Sequence, residues 1–213
     1  MSPSRQGVRI GILLSGRGSN FLALHDAIAR GDVPAEIALV LANVADAPGL
    51  ARARELGLPT VAVPHAGEPD RASHETRVRA SLRQAGVEWV CLAGCMRLLS
   101  PSFLAAFPQR ILNVHPSLLP AFPGVDAQRQ ALEHGVKVSG CTVHLVDEGL
   151  DSGPIVVQRT VPVLDADTAE TLAARILEEE HRAYPEAIRR LLTEVWTVRG
   201  RRLVFGELGD GGG

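Results

Sequence analysis

Residues 8–20 read VRIGILLSGRGSN, and this stretch points to the fold. Val8–Leu14 is a short run that is apolar apart from Arg9, which is typical of a strand buried on both faces of a sheet. A glycine-rich turn follows, and Ser19–Arg30 then has apolar residues at the spacing of an amphipathic helix. A strand, a glycine-rich turn and a helix in this order are typical of the first unit of a parallel α/β sheet.

The same alternation of apolar runs and helical spacings continues as far as residue 93. Further strands are predicted at residues 35–42, 59–63 and 87–93, and further helices at residues 49–56 and 70–85. Strands that alternate with helices in this way imply parallel pairing with right-handed crossovers.

The second half of the chain has a different rhythm. A strand is predicted over Arg110–His115, and two strands at residues 138–146 and 154–161 are close enough to pair antiparallel around the turn between them. The other predicted elements are a helix at residues 127–133, a long helix at 168–192 and a terminal hairpin of residues 197–198 and 202–205. Because Pro185 lies inside the long helix, a kink or a restart is expected near Tyr184.

These elements together predict one α/β domain. Its sheet is expected to be Rossmann-like and mostly parallel, with an antiparallel part in the C-terminal half and helices on both faces. The domain is expected to span residues 1–213, with a nucleotide-binding-like half at about 8–109, a second half at about 110–205 and a frayed tail at 206–213.

The composition argues against several classes of protein. The 213 residues include 22 Lys+Arg and 24 Asp+Glu, and this net charge of −2 disfavours a nucleic-acid or anionic-membrane binder. No apolar run approaches the roughly 18 residues of a membrane span, and residues 1–7 lack the layout of a signal peptide. The single lysine, Lys137, does not follow a glycine, so the chain has no Walker A loop. Three cysteines without a C-x-x-C pair fit a reduced, cytoplasmic protein.

The turn Ser15–Asn20 lies at the carboxyl end of the first predicted strand, where open α/β sheets bind ligands. Its two glycines let the backbone approach a ligand, and the helix N-terminus behind it supplies free N–H groups that suit a phosphate. A dinucleotide site would need a third glycine where Phe21 stands and a carboxylate near Leu41–Asn43, so a nicotinamide cofactor is disfavoured. The alternative is a structural turn with Ser19 as the helix N-cap.

Asn113 and His115 are two residues apart in a predicted strand, so their side chains point to the same face at its carboxyl end. An amide and an imidazole in this position could act as an oxyanion donor and a proton carrier. Asp151, in the turn before the next strand, could fold back on His115 and favour its cationic form. The alternatives are ordinary strand-end hydrogen bonds and a solvated turn carboxylate.

No metal site is predicted, because the sequence has no His-Glu-x-x-His motif. The remaining histidines show no ligand spacing; they are His25, His65, His74, His134, His144 and His181.

Four segments, taken in order, resemble the folate-dependent phosphoribosylglycinamide formyltransferases of purine synthesis. They are SGRGSN at residues 15–20, LAGCMRLLSP at 92–101, ILNVHPSLLP at 111–120 and LDSGP at 150–154. The last two segments are typical of the wider formyltransferase superfamily, whereas the first turn and the single-domain length select the glycinamide ribonucleotide branch. The resemblance covers about residues 8–195.

The resemblance implies a formyltransferase fold whose second half is catalytic. The formyl group of 10-formyltetrahydrofolate, the cosubstrate, would pass directly to the amine of glycinamide ribonucleotide through a tetrahedral intermediate, with no metal and no nicotinamide. Asn113, His115 and Asp151 would be the catalytic residues. The Asn113 amide and a protonated His115 would stabilise the oxyanion, and Asp151 would keep His115 charged and help to move the proton.

The resemblance also implies which residues bind the two substrates. Gly18, Ser19 and Asn20 would hold the phosphate, and Glu180 would lie near the ribose. The folate would lie against or near Arg71, Met96, Arg97, Leu98, Leu99, Asn113 and Asp147. Without the resemblance, Arg71 and Glu180 would be interpreted as solvated charges on helices.

The chain departs from the family pattern in the loop at residues 124–130. Family members often carry one or two histidines there, whereas this sequence has Asp126 and Gln128 among other residues that are not histidine. The departure affects roles assigned to those loop histidines and leaves the catalytic residues unchanged.

Other functions are less well supported. Methionyl-tRNA formyltransferase and 10-formyltetrahydrofolate hydrolase carry an additional domain, which 213 residues do not accommodate. A Rossmann-like oxidoreductase conflicts with the turn sequence, and a non-catalytic binding module leaves the coincidence of Asn113, His115 and Asp151 unexplained. The resemblance implies a cytoplasmic monomer or homodimer that acts on small molecules and binds neither nucleic acid nor membrane.

Overall fold

The computed structural model describes residues 7–66, 68–94 and 99–206, which form an α/β fold around one sheet. The strands are β1 (Val8–Leu14), β2 (Ala35–Ala42), β3 (Thr60–Ala62), β4 (Trp89–Leu92), β5 (Ile111–His115), β6 (Val138–Leu145), β7 (Ile155–Pro162), β8 (Trp196–Arg199) and β9 (Arg202–Phe205). The helices are α1 (Ser19–Ala29), α2 (Pro48–Glu55), α3 (Arg71–Gln84), α4 (Pro101–Leu104), α5 (Ala127–Glu133) and α6 (Ala169–Thr193).

The order of the strands across the sheet is β3-β2-β1-β4-β5-β6-β7-β9-β8. β1 pairs parallel with both β2 and β4, and β4 pairs parallel with β5. β6 runs antiparallel to both β5 and β7, which confirms the predicted change of direction in the C-terminal half. Because the chain leaves β1 toward β2 and returns to β4 on the opposite side, the carboxyl ends of β1 and β4 border the crevice where such sheets bind ligands.

Helices cover both faces of the sheet, as predicted. Residues of α1, α2, α5 and α6 belong to the core on one face, and residues of α3 and α4 belong to the core on the other. β1 serves both cores, since Ile10 and Ile12 pack into the first and Leu13 into the second. Gly11 lets the second core pack closely, because a Cβ atom there would lie 2.7 Å from the end of the Leu82 side chain, which would have to shift.

The structure contradicts the alternative that Ser19 caps α1 and the expected restart of the long helix near Tyr184. Gly18, and not Ser19, is the N-cap of α1; its φ of 72° is left-handed, which a glycine adopts at little steric cost, and it makes no side-chain cap bond. The long helix α6 does not restart near Tyr184, because it is continuous with Pro185 inside it. Its buried apolar face holds it together despite the N–H that proline lacks.

The short helix α4 is an element that the sequence patterns did not indicate. It begins with two standard signals, because the Ser100 side chain accepts a hydrogen bond from the Phe103 amide and Pro101 follows the cap. Four residues are too few to show a helical spacing of apolar positions.

The C-terminal part of the chain is expected to form a hairpin followed by a frayed tail. The predicted terminal hairpin is confirmed, with β8 and β9 paired antiparallel. Of the predicted tail at 206–213, residues 207–213 lie outside the described residues. Within the described ranges, no helix combines the length and the apolar character needed to cross a membrane.

Candidate functional site

His115 is the last residue of β5, and its buried imidazole lies between two acceptors. Nδ1 is 3.3 Å from Oδ2 of Asp151, and Nε2 is 2.8 Å from the carbonyl oxygen of Phe122. A carboxylate and a carbonyl oxygen can only accept, so two good hydrogen bonds require an N–H on each ring nitrogen. The side chain of His115 is thus placed between a carboxylate and a backbone carbonyl oxygen.

Asp151 reaches His115 from the turn between β6 and β7. Its φ of 49° is left-handed, a conformation that aspartate tolerates better than most residues. The same Oδ2 atom accepts a hydrogen bond of 2.8 Å from the Gly124 amide. The carboxylate is thus held by the loop after β5, and its side chain is only 11 % exposed.

His144 is a further polar residue beside Asn113 and Asp151, and the sequence did not identify it as part of the site. It lies on β6 directly opposite Asn113, and its Nε2 is 3.3 Å from Nδ2 of Asn113 and 3.7 Å from Oδ1 of Asp151. Nδ1 is 2.9 Å from the Leu145 carbonyl oxygen, so Nδ1 carries the proton and Nε2 is free to accept from the Asn113 amide.

Burial disfavours the charged form of His144. It lowers the pKa of His144, whereas the Leu145 carbonyl and the Asp151 carboxylate act in the opposite direction. His144 could have been identified only from the antiparallel register of β5 and β6, because that register places His144 beside Asn113.

The glycine-rich turn packs closely against the start of α2. A Cβ atom on Gly18 would lie 3.2 Å from the Cα atom of Gly49, whose amide donates to the Gly16 carbonyl at 3.0 Å. The free amides at the start of α1 face the carboxyl end of the sheet, as a phosphate site requires.

Asn20 and Glu180 meet at the start of α1, although 160 residues separate them. Nδ2 of Asn20 donates to Oε2 of Glu180 at 2.7 Å, and both residues are buried. Oδ1 of Asn20 is buried and has no protein partner, so a donor from a bound molecule would satisfy it. Burial raises the pKa of Glu180, while the Asn20 amide and the charge of His115 act against that shift.

The residues expected to face the folate are only partly described. Met96, Arg97 and Leu98 lie outside the described residues. Leu99 lines a mainly apolar pocket on the α3 side of the sheet with Leu13, Leu41, Asn43, His74, Glu75, Val78 and Phe103 among its neighbours. The buried oxygen Oδ1 of Asn43 has no protein partner there.

Arg71 and Asp147 are fixed by local hydrogen bonds. Nε of Arg71 donates to Oε1 of Glu75 at 2.9 Å, and the same Glu75 oxygen accepts from the Ser100 amide at 3.1 Å. Asp147 is exposed and accepts from the Gly149 amide at 3.1 Å. Arg71 is therefore joined to the segment that follows Leu99, and Asp147 shares its turn with Asp151.

The loop that departs from the family pattern is held without histidine. Asp126 has a φ of 56° as the N-cap of α5, and Arg129 pairs with it at 3.0 Å. The side-chain amide of Gln130 donates to the carbonyl oxygen of Val125 at 2.9 Å. Among the described residues, no group of three or more His, Cys, Asp or Glu side chains could hold a metal ion.

Comparison with known proteins gives a consistent result. The formyl transferase family profile matches residues 8–188. Phosphoribosylglycinamide formyltransferase of Bacillus subtilis (strain 168) is 41 % identical over 184 residues, which cover 86 % of this chain and 94 % of that protein. The trifunctional purine biosynthetic protein adenosine-3 of Drosophila pseudoobscura pseudoobscura is 49 % identical over 183 residues, but the chain spans only 13 % of that protein.

Two solved structures share the architecture. Glycinamide ribonucleotide transformylase 1 from Symbiobacterium toebii has a TM-score of 0.93 and 50 % identity, with 97 % of this chain and 98 % of that chain covered. A formyltetrahydrofolate deformylase from Pseudomonas syringae pv. tomato has a TM-score of 0.87 and 26 % identity, with 96 % of this chain and 67 % of that chain covered.

Proposed function

The chain belongs to the formyl transferase family, and on this premise we propose that it formylates glycinamide ribonucleotide. The formyl group of 10-formyltetrahydrofolate passes to the amine of N1-(5-phospho-D-ribosyl)glycinamide, which gives the N-formyl product and tetrahydrofolate in de novo purine (IMP) synthesis. The observation that carries the proposal is the cluster at the carboxyl end of β5, where Asp151 lies beside His115 and His144 lies between Asn113 and Asp151. The amide of Asn113, the imidazole of His115 and the carboxylate of Asp151 supply what the reaction needs.

The reaction moves one proton and one acyl group. The substrate amine attacks the formyl carbon, the bond from that carbon to N10 of the folate breaks, and the proton lost by the amine ends on N10. Negative charge develops on the formyl oxygen, which the Asn113 amide and the His115 cation stabilise; a donor of this kind is worth roughly 3–4 kcal/mol. Asp151 holds the cation in place and relays the proton.

The ribonucleotide binds along the start of α1. Gly18, Ser19 and Asn20 present backbone amides to the phosphate, and the buried Glu180 accepts hydrogen bonds from the ribose hydroxyl groups. The unpartnered oxygen of Asn20 supports this assignment, since it needs a donor that the protein does not provide.

The folate binds on the opposite side of the catalytic residues. Leu99 offers an apolar contact beside α4, Arg71 offers a cation for a folate carboxylate, and Asp147 lies in the turn that closes on the pterin. We propose that Met96, Arg97 and Leu98 also belong to the folate site, together with Asn113. Both substrates are small molecules, and the protein acts as a monomer or a homodimer in the cytoplasm.

Hydrolysis of 10-formyltetrahydrofolate is the second candidate. The similarity in fold to a formyltetrahydrofolate deformylase favours it, because water could replace the amine as the nucleophile at the same site. The two activities differ in whether the ribonucleotide is needed.

The test is a formyl-transfer assay with purified protein. Release of the deformylated folate from 10-formyl-5,8-dideazafolate is followed by absorbance, with and without glycinamide ribonucleotide. Release that depends on the ribonucleotide is the expected result. Release at the same rate without it would establish the hydrolase, and a folded protein with neither activity would refute both candidates.

A further inference from the structure

The side chain of Tyr184 reaches from α6 to two central strands. It is fully buried, and its hydroxyl donates to the Leu92 carbonyl oxygen at 2.9 Å and lies 3.1 Å from the Leu112 carbonyl oxygen. Leu92 is the last residue of β4, and Leu112 directly precedes Asn113 on β5. The contact therefore joins the carboxyl end of β4 to the residue of β5 that precedes Asn113.

We infer that Tyr184 is a positioning residue for formyl transfer, because its hydroxyl holds the end of β4 against β5 at the residue before Asn113 and so fixes Asn113. The inference rests on the proposed function, in which the Asn113 amide stabilises the formyl oxygen. Leu92 stands directly opposite Asn113 in the parallel register, so a shift between these strands moves the amide directly.

The buried surroundings of the hydroxyl strengthen its hydrogen bonds to the Leu92 and Leu112 carbonyl groups. Burial raises the pKa of Tyr184 well above its ordinary value, so the hydroxyl keeps the proton that it donates. Its single proton is shared between two carbonyl oxygens in the buried core, where an unsatisfied carbonyl group is costly. Loss of the hydroxyl would leave both carbonyl groups without this partner.

The same helical turn also reaches the substrate turn. Glu180 lies four residues before Tyr184 on α6, which places both side chains on one face of the helix. Glu180 accepts from Asn20 while Tyr184 donates to the two strands, so one turn of α6 contacts both halves of the site.

The substitution Y184F tests the inference because it removes the hydroxyl and keeps the ring. We expect kcat for formyl transfer to fall about tenfold, since small displacements of a catalytic group have effects of at least this size. KM for glycinamide ribonucleotide should stay unchanged, because Asn20 and Glu180 keep their contact.

I188V is the matched control. Ile188 is fully buried one turn further along α6, so the loss of one methyl group lowers stability without removing a polar contact. It should lower the melting temperature and leave kcat unchanged. A Y184F protein with the wild-type kcat would overturn the inference, whereas an inactive wild type would overturn the proposed function instead.

A second measurement needs no substitution. Tyr184 is the only tyrosine of the chain, so incorporation of 3-fluorotyrosine labels it alone. Saturation with 10-formyl-5,8-dideazafolate should shift its 19F resonance, because the ligand settles against the strands that the hydroxyl holds. A resonance that does not respond to the saturating analogue would also overturn the inference, even if Y184F failed to fold.

Discussion

His115 has its two ring nitrogens committed to Asp151 and to the loop carbonyl of Phe122, and a side chain held on both sides is pre-organised for its task. H115A removes the proposed cation, and we expect formyl transfer to fall by about 10³-fold or more. The measurement is kcat in the absorbance assay, with H25A as the control, because the half-buried His25 of α1 contacts Asp26 and the ring of Phe21 and has no proposed role in the reaction. A rate for H115A close to that of H25A would exclude the catalytic role.

Glu180 has a consequence for stability as well as for binding. Because burial raises its pKa in the folded protein above the ordinary value near 4.5, the folded state holds the proton more tightly than the unfolded state. Its contribution to stability is therefore greatest at low pH and is lost as the pH rises through the folded pKa. A carboxylate that is buried at neutral pH destabilises the fold.

E180Q should therefore stabilise the protein while it weakens ribonucleotide binding. The glutamine keeps an oxygen for the Asn20 amide, and we expect its free energy of unfolding at pH 7 to exceed the wild-type value. The difference should disappear below about pH 4. Urea unfolding at several pH values measures it, with the exposed substitution E133Q as control. An E180Q protein that is less stable at pH 7 would contradict the argument.

The residues of the site were predictable to different degrees. Asn113, His115 and Asp151 stand in motifs at strand ends, and the alternation of a strand already places the first two on one face. His144 was missed because its role depends on the pairing of β5 with β6, which no local pattern encodes. The backbone groups of Phe122 and Gly124 carry no sequence signal at all, since every residue has a carbonyl group and nearly every residue an amide.

At the scale of the elements, the turn between β6 and β7 tolerates little substitution at Gly153. A Cβ atom on Gly153 would lie 1.8 Å from the carbonyl oxygen of Leu145, and neither backbone can yield without moving the turn that carries Asp151. G153A should lower formyl transfer at least tenfold and destabilise the fold by about 2 kcal/mol.

G135A is the control for that substitution. Gly135 has a φ of 66° with open space around it, so an alanine there costs stability through backbone strain alone. Activity assays at a temperature where both variants are folded compare them. Equal activity of the two proteins would show that the shape of the turn does not control the reaction.

The strands and helices themselves were largely predictable from the sequence. β1, β2 and β4 are buried on both faces, so each stands out as a mostly apolar run. The continuity of α6 could not be predicted, because the cost of Pro185 is outweighed by the packing of residues from distant strands. Local propensity is a weaker term than tertiary burial at this position.

At the scale of the whole molecule, two thiols report on the integrity of the core. Cys91 on β4 and Cys141 on β6 are fully buried in the same core, and burial raises the pKa of each thiol to about 12. At pH 8 the reactive thiolate is scarce in both, so modification requires the core to open.

In a C95S protein, Cys91 and Cys141 should therefore react together with a thiol reagent, and only through unfolding. We expect labelling in buffer to be at least about 10³-fold slower than in denaturant, in line with the small unfolded fraction of a stable domain. Stopped-flow absorbance with a disulfide reagent measures both rates. Fast labelling of either thiol in the absence of denaturant would mean that the two strands open independently of the rest of the core.

The backbone contacts of His115 and Asp151 also bear on how this chain can diversify. Both side chains are anchored by main-chain atoms of Phe122 and Gly124, and a main-chain anchor is indifferent to the identity of neighbouring side chains. An exposed position in that loop such as Val125 can therefore be substituted while the contacts of His115 and Asp151 are kept. For protein engineering, a library randomised at exposed positions of this loop can be screened for activity on new acceptors while His115 and Asp151 keep their backbone contacts.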